Sequence, residues 1–163
     1  MLLAVLTIAG CGKSPPPEPV YSHAKDAIKI RIKSDPLLNT NQNSPHTLMM
    51  CVYQFQNKSM FEQLASNEDG LYQLLDCRPY NDSVTVVKRF IVHPDQELTF
   101  IMDRMEKTRG VGIVAGYYTL DKSRMTRQFD IPFTIVSKKE ARVDPLDLFL
   151  NLGAQQIVGA DVK

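Results

Sequence analysis

Three cysteines and three histidines, with a few paired acids, are the residues with which this chain could do chemistry. Cys11 closes the run Ile8-Ala9-Gly10-Cys11, which is aliphatic, small, small, cysteine, the pattern of a bacterial lipobox. That chemistry uses each part. Small side chains let a membrane-embedded peptidase grip the backbone, the thiol takes a diacylglycerol, and the freed amine takes a third chain. At about 0.8 kcal/mol per buried CH₂, several acyl chains anchor a soluble domain stably. The covalent lipid on Cys11 is the only non-protein group expected; no cofactor and no metal is. Export places Cys51 and Cys77 in an oxidising compartment. They are either a disulfide or two buried thiols, since sequence alone does not set their proximity.

The search for catalytic residues returns little. His23 lies in a proline-rich stretch, and His46 and His93 each adjoin a proline at the end of a predicted strand. No HExxH, GxSxG or Walker A pattern occurs. Gly110-Val111-Gly112-Ile113-Val114-Ala115 matches the loose dinucleotide fingerprint, but that motif needs a strand before it and a helix after it. Here it opens a predicted strand, so the cofactor reading is set aside. Asp144 and Asp147 flank Pro145-Leu146, and a metal site would need more oxygens nearby.

Composition agrees with a small folded domain. The 163 residues are 44% hydrophobic and 23% charged, enough apolar content for a packed core. Nineteen basic against eighteen acidic residues give a net charge of +1, no bulk electrostatic case for nucleic acid. The basic residues are spread over several elements, as solvated faces are.

Residues 1–10 (MLLAVLTIAG) read as the apolar part of a lipoprotein signal peptide. Ten residues span about 15 Å as a helix, half of a bilayer core of roughly 30 Å, so they do not make a permanent span. No Lys or Arg precedes them, which predicts a natural start upstream of Met1. Residues 11–25 form the lipidated cysteine and a tether, with Pro15, Pro16, Pro17 and Pro19 favouring polyproline II. At about 3.1 Å per residue, Cys11 to His23 reaches up to roughly 40 Å. Gly12 stands where an aspartate tends to hold a lipoprotein at the inner membrane, which favours the outer one.

Residues 26–163 alternate with period two. Ile28, Ile30 and Ile32 point one way, and Lys29, Arg31 and Lys33 the other. Further strands are expected over 47–55, 84–92, 97–103, 111–119, 128–136, 146–152 and 155–159. The sixth carries Phe129, Ile131, Phe133 and Ile135 on one face and must accommodate Pro132 at an edge or bulge. Seven or eight short strands separated by turns predict a mainly β, antiparallel sandwich. The exception is 59–76, a two-helix insertion. Ser59 to Glu62 reads as a capping box, Phe61, Leu64 and Ala65 share one helical face, and Leu71, Leu74 and Leu75 share another.

Between the first two strands lies a loop over 35–46, about twice the common hairpin length. It is rich in Asn and Pro and carries Leu37 and Leu38. Apolar residues there either fold back onto the core or meet a partner.

Together these features resemble the outer-membrane lipoprotein of the type VI secretion system, the TssJ family. The lipobox agrees, as do the first strand running into Leu37-Leu38-Asn39 and Ser44-Pro45 before a strand ending Val52-Tyr53-Gln54-Phe55. The helical insert, His93-Pro94 before an acidic turn, and Gly112-Ile113-Val114-Ala115-Gly116-Tyr117-Tyr118 also fit. Two positions depart: Cys51 stands about where a basic residue is common, and Phe129 where a tryptophan is. The resemblance implies a transthyretin-like β-sandwich with a small helical addition, and no enzymatic activity. It implies a lipid anchor in the outer membrane with the domain in the periplasm. The implied partner is the periplasmic C-terminal domain of an inner-membrane TssM-like protein, within a multi-subunit type VI membrane complex. The implied contact is the first loop, here Pro36, Leu37, Leu38, Asn39, Thr40, Asn41, Gln42 and Asn43. The competing reading is a periplasmic ligand- or lipid-binding lipoprotein, which needs an apolar cavity with a few convergent polar groups.

Overall fold

Alternation along the chain folds as it reads. In the computed structural model, which describes residues 15–162, the first strand, β1 (Ala24–Ser34), buries Ile28, Ile30 and Ile32 and turns Lys29, Arg31 and Lys33 outward. There follow β2 (Leu48–Phe55), α1 (Ser59–Ala65), α2 (Glu68–Leu75), β3 (Val84–Val92), β4 (Glu97–Arg104) and β5 (Gly110–Ala115). Then come α3 (Lys122–Met125), β6 (Thr126–Asp130), β7 (Phe133–Ser137), β8 (Glu140–Val143), β9 (Leu146–Leu152) and β10 (Ile157–Val162). The signal segment and Cys11 lie outside the described residues.

Two four-stranded sheets, β10-β9-β1-β4 and β3-β2-β5-β6, face each other, and β7-β8 form a separate two-stranded sheet. All pairings are antiparallel except β1 with β9, where Ile28, Ile30 and Ile32 align with Leu146, Leu148 and Leu150. These six aliphatic side chains meet Met50, Val52 and Ile113 from the other sheet in one buried cluster. Gln54 joins the sheets polar to polar: its amide donates to the Asp103 carbonyl (2.8 Å) and accepts from the Met105 amide (2.9 Å) and the Thr108 hydroxyl (3.1 Å). A buried amide with its partners made costs little, whereas one left unpaired costs much.

β2 is buried on both faces. Its outward side chains Cys51, Tyr53 and Phe55 are covered by the helical insertion: Tyr53 and Phe55 pack against Phe61, and the Tyr53 hydroxyl donates to the Leu74 carbonyl (2.6 Å). Cys51 and Cys77 form a disulfide with Cα atoms 5.3 Å apart, fastening the end of the insertion to β2. The glycines of the Gly110-Val111-Gly112 run serve the same cover. A Cβ at Gly110 would stand 2.5 Å from a Phe55 ring carbon, and one at Gly112 2.6 Å from a Phe61 ring carbon. The motif that resembles a phosphate cradle is thus room for two rings against a strand.

Several expected boundaries move. The strand expected over 128–136 breaks at Pro132, which cannot donate to a ladder. β6 stays in the sandwich, while β7 leaves it and pairs with β8. Ile131 is buried, but Phe133 and Ile135 are about half exposed rather than on a common core face. The fifth strand ends at Ala115 instead of 119, and the last runs over Ile157–Val162. The capping box at Ser59 does not form, because Asn57 takes the Ser59 amide (2.8 Å) in a local turn and Lys58 becomes the N-cap. Asn67 caps α2 by accepting from the Gly70 amide (2.8 Å). A one-turn helix, α3, leads into β6, with Asp121 accepting from the Ser123 amide (2.8 Å).

The tether docks earlier than alternation indicates. The Tyr21 carbonyl accepts from the Lys107 amide (2.7 Å), the Arg109 guanidinium lies 5.5 Å over the Tyr21 ring, and the Ser22 carbonyl accepts from Arg104 (3.1 Å). Docking is therefore established by Tyr21, five residues before the predicted start of the domain at 26.

Two outcomes are expected. Cys77→Ser lowers the unfolding free energy by about 3 kcal/mol, read by urea denaturation, with reduction of the unchanged chain giving the same loss. Gly112→Ala costs about 1–3 kcal/mol through overpacking against Phe61, and a Phe61→Leu change in the same chain recovers part of it.

Candidate functional site

The loop over 35–46 is uncharged from Pro36 to Pro45, so its structure comes from backbone geometry and one buried leucine. Asp35 opens it: its amide donates to the Leu152 carbonyl (2.8 Å), and its side chain accepts from the Leu37 amide (2.7 Å). That Asx-type turn swings Leu38 inward, where it is fully buried in the core, and leaves Leu37 55% exposed.

Asn39 follows in the left-handed region (φ 50°), a conformation asparagine tolerates better than most residues. Its side chain is a clamp. The amide nitrogen donates to the Thr47 carbonyl (3.0 Å) and the amide oxygen accepts from the Tyr118 amide (3.1 Å). One residue thereby ties the start of the loop to its end and to the segment after β5. Thr40 adds a bond from its amide to the Ala154 carbonyl (2.9 Å), and its hydroxyl donates to the Leu37 carbonyl.

The tip is a tight reversal. Asn41 and Ser44 exchange both backbone hydrogen bonds (3.0 Å each) around Gln42 and Asn43, whose φ values are 48° and 62°. Two consecutive left-handed residues are the mark of a primed hairpin turn, which suits Asn and is unusual for Gln. Beyond it the His46 amide donates to the Leu38 carbonyl (2.9 Å), and the His46 ring meets Tyr118 edge-on at 5.3 Å.

Of the eight residues singled out in the loop, the structure thus gathers two kinds. Leu38 and Asn39 are buried and hold the loop; Pro36, Leu37, Asn41, Gln42 and Asn43 are exposed, with Thr40 between. Tyr118, 56% exposed beside His46, completes the exposed surface, and strand alternation gave no sign of it. Its contact with Asn39 spans 79 residues, which no local pattern encodes.

The other candidates are dispersed. His23 lies 3.5 Å from Asp103 near the tether, and His93 sits at the β3–β4 turn. Asp147 pairs with Arg31 (2.9 Å). Asp144 accepts from Thr134 and Arg142, hydrogen bonds that hold its carboxyl below the usual carboxylate range. Gly110–Ala115 is a buried strand between β2 and β6, not a loop. Among the described residues no group of three His, Cys, Asp or Glu stands close enough to hold a metal ion, and no helix is long and apolar enough to cross a membrane. Clefts such as the one of about 440 Å³ beside Gln54, Ile101 and Met105 are surface grooves.

Comparison with known proteins adds identity to geometry. The family model described as "Type VI secretion lipoprotein, VasD, EvfM, TssJ, VC_A0113" matches residues 26–146. No curated protein sequence matches the chain. Among solved structures, the T6SS lipoprotein TssJ1 from Pseudomonas aeruginosa superposes with a TM-score of 0.62 at 21% identity, over 91% of this chain and 98% of that one. Serratia marcescens Lip, a membrane-bound component of the type VI secretion system, gives 0.59 at 14% identity, over 87% of this chain and 97% of that one. A chain of the structure described as the T6SS protein TssM C-terminal domain from EAEC gives 0.59 at 11% identity, over 83% of this chain and 96% of that one. At these identities the structural likeness establishes the fold.

The clamp makes a prediction. Leu38→Ala costs about 2–5 kcal/mol in thermal or urea unfolding, as a fully buried leucine does. Asn39→Ala removes two partly buried hydrogen bonds and a favourable left-handed residue, at about 2 kcal/mol. Its signature is faster hydrogen exchange at the Tyr118 and Thr40 amides, with β2 and β5 unchanged.

Proposed function

The chain belongs to the type VI secretion lipoprotein family, and from that premise we propose that it anchors the secretion machine's membrane complex to the outer membrane. In this reading Cys11 carries the lipid, the domain hangs in the periplasm, and the loop over 35–46 binds the periplasmic C-terminal domain of a TssM-like inner-membrane protein. The role is one of assembly, with no reaction catalysed.

The single observation that carries the contact is the preorganised tip. Leu38 and Asn39 are spent on holding the loop, so Leu37 and Asn41–Asn43 are presented in one fixed shape. A surface already ordered loses little conformational entropy on binding. Leu37 supplies an apolar anchor, and the Asn-Gln-Asn side chains supply donors and acceptors around it. Tyr118 extends the same face. The ligand-binding alternative has less behind it, because Ile30, Leu148, Met50 and Ile113 between the sheets are all fully buried.

The test is calorimetric binding of residues 20–163 to the periplasmic domain of the host's TssM-like protein. Leu37→Asp weakens binding roughly ten- to hundred-fold, the worth of one buried leucine side chain. Replacing Asn41–Asn43 with Gly and Ser residues weakens it further, while circular dichroism and thermal unfolding remain those of a folded sandwich. Because the loop bears no charge from 36 to 45, affinity changes little between low and high salt. Undiminished binding by both variants moves the contact off this loop. No binding by any form rejects the partner.

A further inference from the structure

The β7–β8 hairpin is not part of the sandwich, and nothing in the loop's proposed contact uses it. Every residue of β7 is exposed, including Phe133 (46%), Ile135 (52%) and Val136 (54%). Its turn carries Lys138 and Lys139, and neither ammonium has an ion-pair partner among the described residues. Arg142 is engaged by Asp144 (3.1 Å), and Glu140, the first residue of β8, is the one acid next to the turn. The hairpin is fixed at its root, where the Asp144 amide donates to the Pro132 carbonyl (2.9 Å) and Ile131 is buried. An apolar strand ending in two free lysines is therefore held out from the domain by a rigid base.

Its place in the fold names what covers it. The Ile131 amide donates to the Arg109 carbonyl (2.9 Å), and the Arg109 guanidinium lies over the Tyr21 ring. The hairpin and the tether thus leave the sandwich at one end. β9, which follows the hairpin, begins beside Ile28 near the start of β1, whereas the loop over 35–46 follows the far end of β1. Five residues of strand reach roughly 16 Å, and an extended spacer from Cys11 to Val20 reaches roughly 28 Å. The hairpin can touch the surface in which the lipid sits without straining the spacer.

We propose that the β7–β8 hairpin is a second membrane contact, in which Phe133, Ile135 and Val136 enter the interface of the anchoring bilayer while Lys138 and Lys139 meet anionic phospholipid phosphates. Apolar side chains seated about 5–10 Å into the headgroup boundary, flanked by lysines, are how interfacial segments bind. Each lysine near an anionic surface contributes roughly five-fold to partitioning. The consequence is orientation: a lipid at the end of a spacer is a single point of attachment about which the domain can turn, and a second contact holds the 35–46 loop facing away from the bilayer.

This inference rests on the Cys11 anchor, and the experiment separates the two. The chain has no tryptophan, so Ile135→Trp and, separately, Leu37→Trp each introduce a sole reporter into the full acylated protein. Both are reconstituted into phosphatidylethanolamine–phosphatidylglycerol vesicles containing brominated lipid. The indole at 135 is expected to emit further to the blue and to lose at least half its emission to the bromines, while the one at 37 is unquenched. K138E/K139E in the first variant, or vesicles of phosphatidylcholine alone, reduces that quenching. Protein that floats with the vesicles but shows equal emission at both positions overturns the hairpin contact, leaves the anchor standing, and turns the exposed strand into a surface for a protein. Acylated protein that fails to float, as Cys11→Ser is expected to, overturns the anchor and this inference together.

Discussion

A central strand with two apolar faces cannot face water on either, and β2 is such a strand. Its inward residues Met50 and Val52 meet the opposite sheet, and its outward residues Cys51, Tyr53 and Phe55 need a separate cover. The insertion between β2 and β3 supplies that cover, with Phe61 and Leu74 as its contacts and the Cys51–Cys77 disulfide as its fastening. The neighbouring β5 must then be thin enough to let the rings in, which explains glycine at 110 and 112. Burial in this layer pushes the Tyr53 phenol up to about 12.

With both faces of β2 closed, two features stand out at the ends of the sandwich. At one end the loop over 35–46 is drawn in by Leu38 and Asn39 and presents a small uncharged tip. At the other, the tether and the β7–β8 hairpin leave side by side, joined through Arg109 and Tyr21. A rigid body between two such ends suits the proposed role of holding a partner at a set distance from a membrane.

The sequence was most legible where one face of an element is buried and the other wet. β9 is legible to the residue, and β1 over its buried middle, because Leu146, Leu148, Leu150 and Leu152 and Ile28, Ile30 and Ile32 alternate without interruption. Their parallel pairing was not legible, since alternation gives a strand's face but not its neighbour's direction. Pro132 was recognised as incompatible with a central ladder. That it ejects an entire hairpin depends on β8 and on the Asp144 amide finding the Pro132 carbonyl.

The lipobox pattern at Cys11, the sandwich, the two-helix insertion and the unusual loop were determined by local composition and period, which operate over a few residues. The division of labour inside the loop was decided only in three dimensions. Leu37 and Leu38 are the same residue type in adjacent positions, yet one is exposed and the other fully buried. Which one turns inward depends on Asp35 holding the Leu37 amide, and on Asn39 reaching Thr47 and Tyr118. Tyr118 is 79 residues away, and a hydrogen bond of that separation exists only once β2 and β5 have paired.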